Sequence, residues 1–129
     1  NDFDVDKPGK DSYELRKAGI PRLLLGSERQ SALITEHPDG DDPDLNELLL
    51  QFDQTVLDMI LVEGFRDYPF AKIELYRDIN NEPQYLNDSE IIAVATDLDS
   101  LTATIPILDI NDPWTIADFV LDHLKMKKV

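Results

Sequence analysis

Val56-Leu57-Asp58-Met59-Ile60-Leu61-Val62-Glu63-Gly64-Phe65 is the stretch on which the fold turns. Residues 56–62 are apolar except for Asp58, and the run closes on Glu63-Gly64. Unbroken apolarity, rather than alternation, marks a strand covered on both faces, as in a parallel sheet. A second such run spans residues 91–95, and a third spans 104–108, interrupted by Pro106. Residues 71–77 alternate and read as a further strand. Strands interleaved with helical patterns predict an α/β domain with a mostly parallel sheet.

Outward from that centre, residues 12–18 read as a short helix. Asp11 and Glu14 have capping-box spacing, and Gly19 suits a left-handed stop. Residues 22–26 and 31–35, around Ser27-Glu28-Arg29-Gln30, read as a hairpin. The acidic segment 36–44, with Pro38, Gly40 and Pro43, reads as a solvated loop. Asp42 and Pro43 are expected as the cap and first turn of a helix whose apolar face is Leu45, Leu48, Leu49 and Phe52. The last helix is expected to start at Asp112-Pro113 and to bury Ala117, Val120, Leu121 and Leu124. Lys125, Lys127 and Lys128 close it, where cations favour the negative end of the helix dipole.

A length of 129 residues fits one domain. Net charge is −15, from 27 acidic and 12 basic residues, which argues against nucleic acid and anionic membranes as partners. With no cysteine, thiol catalysis and thiolate metal sites are excluded. No apolar run approaches the roughly 20 residues of a membrane span, and no signal peptide opens the sequence, so a cytoplasmic location is expected. A sequence opening on Asn1 rather than Met is expected to be a fragment or a processed product.

Two motif readings fail on spacing. Asp2, Asp4 and Asp6 occupy the first ligand positions of a calcium loop, but the turn position is Lys7 and the twelfth is Tyr13. Gly9-Lys10 has Asp4 where a phosphate loop needs glycine, and Asp11 where it needs Ser or Thr. His37 and His123 lack partners at triad or zinc spacing.

The candidates that remain are carboxylates in loops. Asp6 is a possible ligand for hydrated Mg²⁺, whereas Asp11 and Ser12 serve either such a site or the helix cap. Glu63 stands at the end of an expected buried strand, where open α/β sheets bind ligands, and can hold Mg²⁺ through water or orient an attacking water. Gly64 lets the backbone turn close to a phosphate. The alternative is an exposed strand-end Glu before a turn. Asp97 ends the run Val94-Ala95-Thr96-Asp97, either as a turn residue or as an acceptor for a guanine edge. Trp114, at the start of the last helix, reads as a core or interface anchor.

Taken together, Asp4-Val5-Asp6-Lys7-Pro8-Gly9-Lys10-Asp11-Ser12, Leu61-Val62-Glu63-Gly64-Phe65, Lys72-Ile73-Glu74-Leu75, Ile92-Ala93-Val94-Ala95 and Leu108-Asp109-Ile110-Asn111-Asp112 resemble the molybdopterin-guanine dinucleotide biosynthesis protein MobB family. That resemblance implies a P-loop NTPase-like sheet with helices on both faces and an added β-hairpin used in dimerisation. It implies an accessory protein that binds GTP with Mg²⁺ and assists a partner guanylyltransferase in making the molybdenum cofactor. Molybdoenzymes or their chaperones are further implied partners. Any GTPase activity would be weak. By resemblance, Glu63 is the acidic residue beside Mg²⁺ and the γ-phosphate and the one catalytic candidate. Asp6, Asp11 and Ser12 lie in a loop near the nucleotide, and Asp97 lies near the base. Family members begin with a glycine-rich phosphate loop and a helix that these 129 residues do not contain. Residues 1–129 are thus expected to be the C-terminal part of such a domain and, alone, to bind GTP poorly, to be inactive and to expose apolar surface. The competing reading is a nucleotide-independent dimeric interaction module.

Overall fold

The computed structural model describes residues 7–37, 39–40, 42–77 and 80–126. Asp2, Asp4, Asp6, Lys127 and Lys128 lie outside the described residues. The chain divides into two compact units, Asn1–Met59 and Ile60–Val129.

The first unit opens with helix α1, Asp11–Lys17. Its N-cap is Lys10, which makes no side-chain cap. The expected capping box therefore does not form: Asp11 and Glu14 both lie inside the first turn, where their charge still favours the helix dipole. The helix ends as the glycine signals. Gly19 has φ +91°, its N–H bonds the Arg16 carbonyl at 2.9 Å, and the Ile20 N–H bonds that of Leu15 at 3.4 Å. This is the paired closure that a left-handed residue after the cap permits.

Strands β1, Arg22–Gly26, and β2, Ser31–Thr35, form the expected antiparallel hairpin, with Leu24 opposite Leu33 and Leu25 opposite Ala32. Ser27 closes it, its N–H donating to the Gln30 carbonyl at 2.8 Å and its Oγ accepting the Gln30 N–H at 3.2 Å. Helix α2, Leu45–Leu49, is capped by Asp44, whose Oδ1 accepts the Asn46 N–H at 2.8 Å. Asp42 and Pro43, expected in those roles, lie before the helix. Leu45 is buried, whereas Phe52 lies past the helix and is exposed.

The second unit is built on a three-stranded parallel sheet in the order β3-β4-β5: β3 is Lys72–Tyr76, β4 is Ile91–Thr96 and β5 is Ile107–Asp109. Central β4 has neighbours on both sides, and its Ala93, Val94 and Ala95 are wholly buried. Helix α3, Pro113–His123, starts as expected, with Asp112 as N-cap and Pro113 in the first turn. Ile116 and Phe119, with Ile73 and Ile110, pack on a core of Ala93, Ala95 and Leu108. The buried seam is thus rotated from the expected one: Val120 and Leu121 are half-buried, but Ala117 and Leu124 are exposed. On the opposite face this unit carries no α-helix among its described residues. Glu74, alternating with Ile73, points there and accepts the N–H groups of Gln84 and Tyr85 at 2.8 and 3.0 Å, fixing a 3-10 turn at Gln84–Leu86.

The largest departure is at residues 56–62, which form no strand. Val56 is 74% and Leu61 75% exposed. A strand exists through its ladder, and no described segment pairs with this one. Asp53 also turns the chain as it enters the run, its carboxylate accepting from both the N–H and the hydroxyl of Thr55.

Candidate functional site

In the first unit, Asp11 and Ser12 occupy the first two positions of α1. Asp11 caps nothing, so the structure gives it no helix-closing role, and Ser12 is half-buried. Glu63, Gly64 and Asp97 all belong to the second unit.

Glu63 is exposed and precedes two consecutive left-handed residues, Gly64 at φ +86° and Phe65 at φ +51°. Glycine takes that conformation freely, but a phenylalanine there costs on the order of 1–2 kcal/mol. The cost is met by packing: the Phe65 and Tyr68 rings meet edge to face at 5.5 Å, and Phe70 lies 6.5 Å beyond Tyr68. The Tyr68 N–H also returns to the Phe65 carbonyl at 3.1 Å. An aromatic brace thus holds a strained turn just after a bare carboxylate. Strained backbone concentrates at ligand sites. Glu63-Gly64 was legible as a site candidate from its sequence position. The left-handed Phe65 was not, since nothing in its residue type signals it.

Asp97 follows β4 at the C-terminal edge of the sheet. Thr96 is buried, and its Oγ1 accepts the Leu98 N–H at 3.1 Å, fixing the exit of the strand. The Asp97 carboxylate lies 3.9 Å from Arg77 Nε, both groups substantially exposed. A pair so long and so wet holds little energy, so Asp97 can exchange Arg77 for a ligand at small cost. Beside this edge, a hollow of about 450 Å³ opens among Tyr76, Asn81, Tyr85, Leu101 and Thr102. Its walls are tied by the Tyr76 hydroxyl donating to the Asn81 carbonyl at 2.6 Å and the Tyr85 hydroxyl donating to that of Thr102 at 3.3 Å.

Among the described residues no group of three or more His, Asp or Glu is arranged to hold a metal ion. Glu63 supplies a single accessible carboxylate. That suits Mg²⁺, which keeps most of its waters and takes one or two protein carboxylates, and does not suit a cage-bound ion. Trp114 is 83% exposed, so it is no part of the core. No helix of the described residues is long and apolar enough to cross a membrane.

The sequence matches the model of the family described as molybdopterin guanine dinucleotide synthesis protein B over residues 1–97. The molybdopterin-guanine dinucleotide biosynthesis adapter protein of Escherichia coli (strain K12) is 47% identical over 127 residues, which cover 97% of this chain and 72% of that protein. The adapter protein of the same name from Haemophilus influenzae is 38% identical over 124 residues, 96% of this chain and 68% of that protein. With three-quarters of its residues inside the family match and two such relatives, this chain belongs to the molybdopterin guanine dinucleotide synthesis protein B family.

Proposed function

We propose that this protein is an adaptor in the biosynthesis of molybdopterin guanine dinucleotide and that it binds GTP with Mg²⁺ while assisting a guanylyltransferase. The observation that carries this reading is the 47% identity to the Escherichia coli adapter protein over nearly the whole chain. The strained turn after Glu63 supports it locally. In this reading Glu63 faces the Mg²⁺ and γ-phosphate end of the nucleotide, Gly64 gives the backbone room beside it, and Asp97 accepts from the ring edge of guanine. When bound, Mg²⁺ would neutralise phosphate charge. Glu63 would hold its hydrating waters, and as the one candidate to orient an attacking water it would support at most slow hydrolysis.

The reading includes a homodimer formed through the β1–β2 hairpin and a cytoplasmic location. The hairpin supports the dimer: Leu24 and Leu33 face each other on one side of it and are 70% and 53% exposed. A two-stranded hairpin with a bare apolar face is marginal alone and gains by being covered. The same exposed face also favours a second reading, a dimeric interaction module that works without nucleotide.

Reconstituted synthesis of the dinucleotide cofactor by the guanylyltransferase, with and without this protein, tests the function. The expected result is a higher yield with the protein and GTP. An equal yield with and without the protein would contradict the adaptor role. A gain that persists when Glu63→Gln replaces the wild type would favour the module.

A further inference from the structure

Trp114 is the one tryptophan of these residues, and the fold leaves it unused. Its helix packs through Ile116 and Phe119, while its own backbone is fixed by Asp112, whose Oδ1 accepts the Trp114 and Thr115 N–H groups at 3.1 and 3.2 Å. The Thr115 hydroxyl donates to the same carboxylate at 2.7 Å. A bare indole therefore stands on an anchored first turn.

That turn leaves the sheet beside Asp97. Thr96 pairs with Asp109 in register, and the Ile110 N–H donates to the Thr96 carbonyl at 3.2 Å, so the exits of β4 and β5 are tied together. This is the C-terminal edge of a parallel sheet, where open α/β folds bind ligands. The charges at the edge choose between the ends of a nucleotide. Among the described residues, Asp97, Asp99, Asp109 and Asp112 end or follow the two strands, and the cation beside them is Arg77, just past β3. Such a rim repels phosphate but suits a neutral ring whose edge carries N–H donors. Aromatic faces hold such rings by stacking.

Building on the nucleotide reading above, we propose that Trp114 is the stacking platform for the guanine base, with Asp97 accepting from the ring edge beside it. The helix start serves only as a mount, since Asp112 already occupies its N–H groups.

The test is calorimetric titration of guanosine and of Mg²⁺-GTP into the full-length wild-type protein, Trp114→Phe, Trp114→Ala and Glu63→Gln, with circular dichroism verifying each fold. Trp114→Ala is expected to weaken guanosine and GTP alike, about tenfold to a hundredfold, and Trp114→Phe, which keeps an aromatic face, by no more than about threefold. Guanine should also quench the indole fluorescence isolated as the difference between wild type and Trp114→Phe. GTP binding by Trp114→Ala at the wild-type Kd would overturn the proposal. If that variant instead lost only its hold on the guanylyltransferase, Trp114 would be a protein anchor and the proposal equally wrong. Weakening by Glu63→Gln without weakening by Trp114→Ala would sink the stacking role while sparing the nucleotide reading. A wild type that binds no GTP would sink both.

Discussion

Residues 56–62 and β4 are written almost alike and fold differently. Both are near-continuous apolar runs that end on an acidic residue: Glu63 after one, Thr96-Asp97 after the other. β4 lies between β3 and β5, and its Ala93, Val94 and Ala95 are fully buried. The run at 56–62 has no ladder partner among the described residues, and Val56 and Leu61 stay in water. An apolar run states a demand for cover on both faces. Whether a strand results depends on neighbours supplied by other parts of the chain, and the run itself does not encode them.

The comparison breaks most visibly through the core. Leu108→Ala, in the cluster that β4 and β5 share, is expected to lower unfolding stability by about 2–5 kcal/mol in urea titrations. Leu61→Ser, on the uncovered run, should change it by no more than about 0.5 kcal/mol. A loss from Leu61→Ser as large as that from Leu108→Ala would mean that the run is packed after all. Hydrogen exchange sharpens the same contrast: the amides of residues 92–95 should be protected at the level of global unfolding and those of 57–62 should exchange at near-coil rates.

Smaller effects probe the turns. Gly64→Ala meets no atom within 4 Å of its new Cβ, so its cost is that of a left-handed alanine, about 1 kcal/mol by thermal or urea unfolding. Lys125 closes α3 at φ +55°, its N–H on the Asp122 carbonyl at 3.1 Å and the Met126 N–H on that of Leu121 at 2.8 Å. A glycine fits that position without strain, so Lys125→Gly should raise stability by about 0.5–1 kcal/mol.

The smallest effect is electrostatic. The Thr115 hydroxyl, then the Thr115 and Trp114 N–H groups, hold the Asp112 carboxyl below the ordinary carboxylate range. A carboxyl depressed in the folded state contributes stability above its unfolded value, and the contribution is lost as pH falls through the folded one. Thr115→Val should therefore raise the Asp112 midpoint in an NMR titration and reduce the stability that is lost as pH falls from the unfolded midpoint of that carboxyl to the folded one. An unmoved midpoint would show that the hydroxyl contributes nothing.

Local signals were legible where local chemistry decides. The Ser27-Glu28-Arg29-Gln30 turn between the apolar segments 22–26 and 31–35 marks the hairpin, Gly19 marks the end of α1, and Asp112-Pro113 marks the start of α3. They failed where tertiary context decides. Asp11 had the spacing of a cap, but the helix begins one residue early, at Asp11 itself, with Lys10 as its N-cap. Asp42 yielded to Asp44, two residues nearer the apolar face. In α3, apolar residues at 116, 117, 119, 120, 121 and 124 cover more than one face, so the sequence leaves open which face meets the sheet. At the candidate site, Asp97 could be read from the end of β4, whereas Glu63 and Gly64 were read from the end of a run that forms no strand. The left-handed Phe65 and the bare Trp114 could not be read, because both depend on what the rest of the fold leaves uncovered.

The account rests on nucleotide binding at Glu63, and calorimetry tests it most directly. Mg²⁺-GTP titrated into the full-length protein should bind at one site per chain, lose affinity when Mg²⁺ is chelated, and weaken about tenfold or more in Glu63→Gln, the loss of one charged contact at a metal-phosphate site. Binding indifferent to both Mg²⁺ and Glu63, or no binding at all, would contradict it.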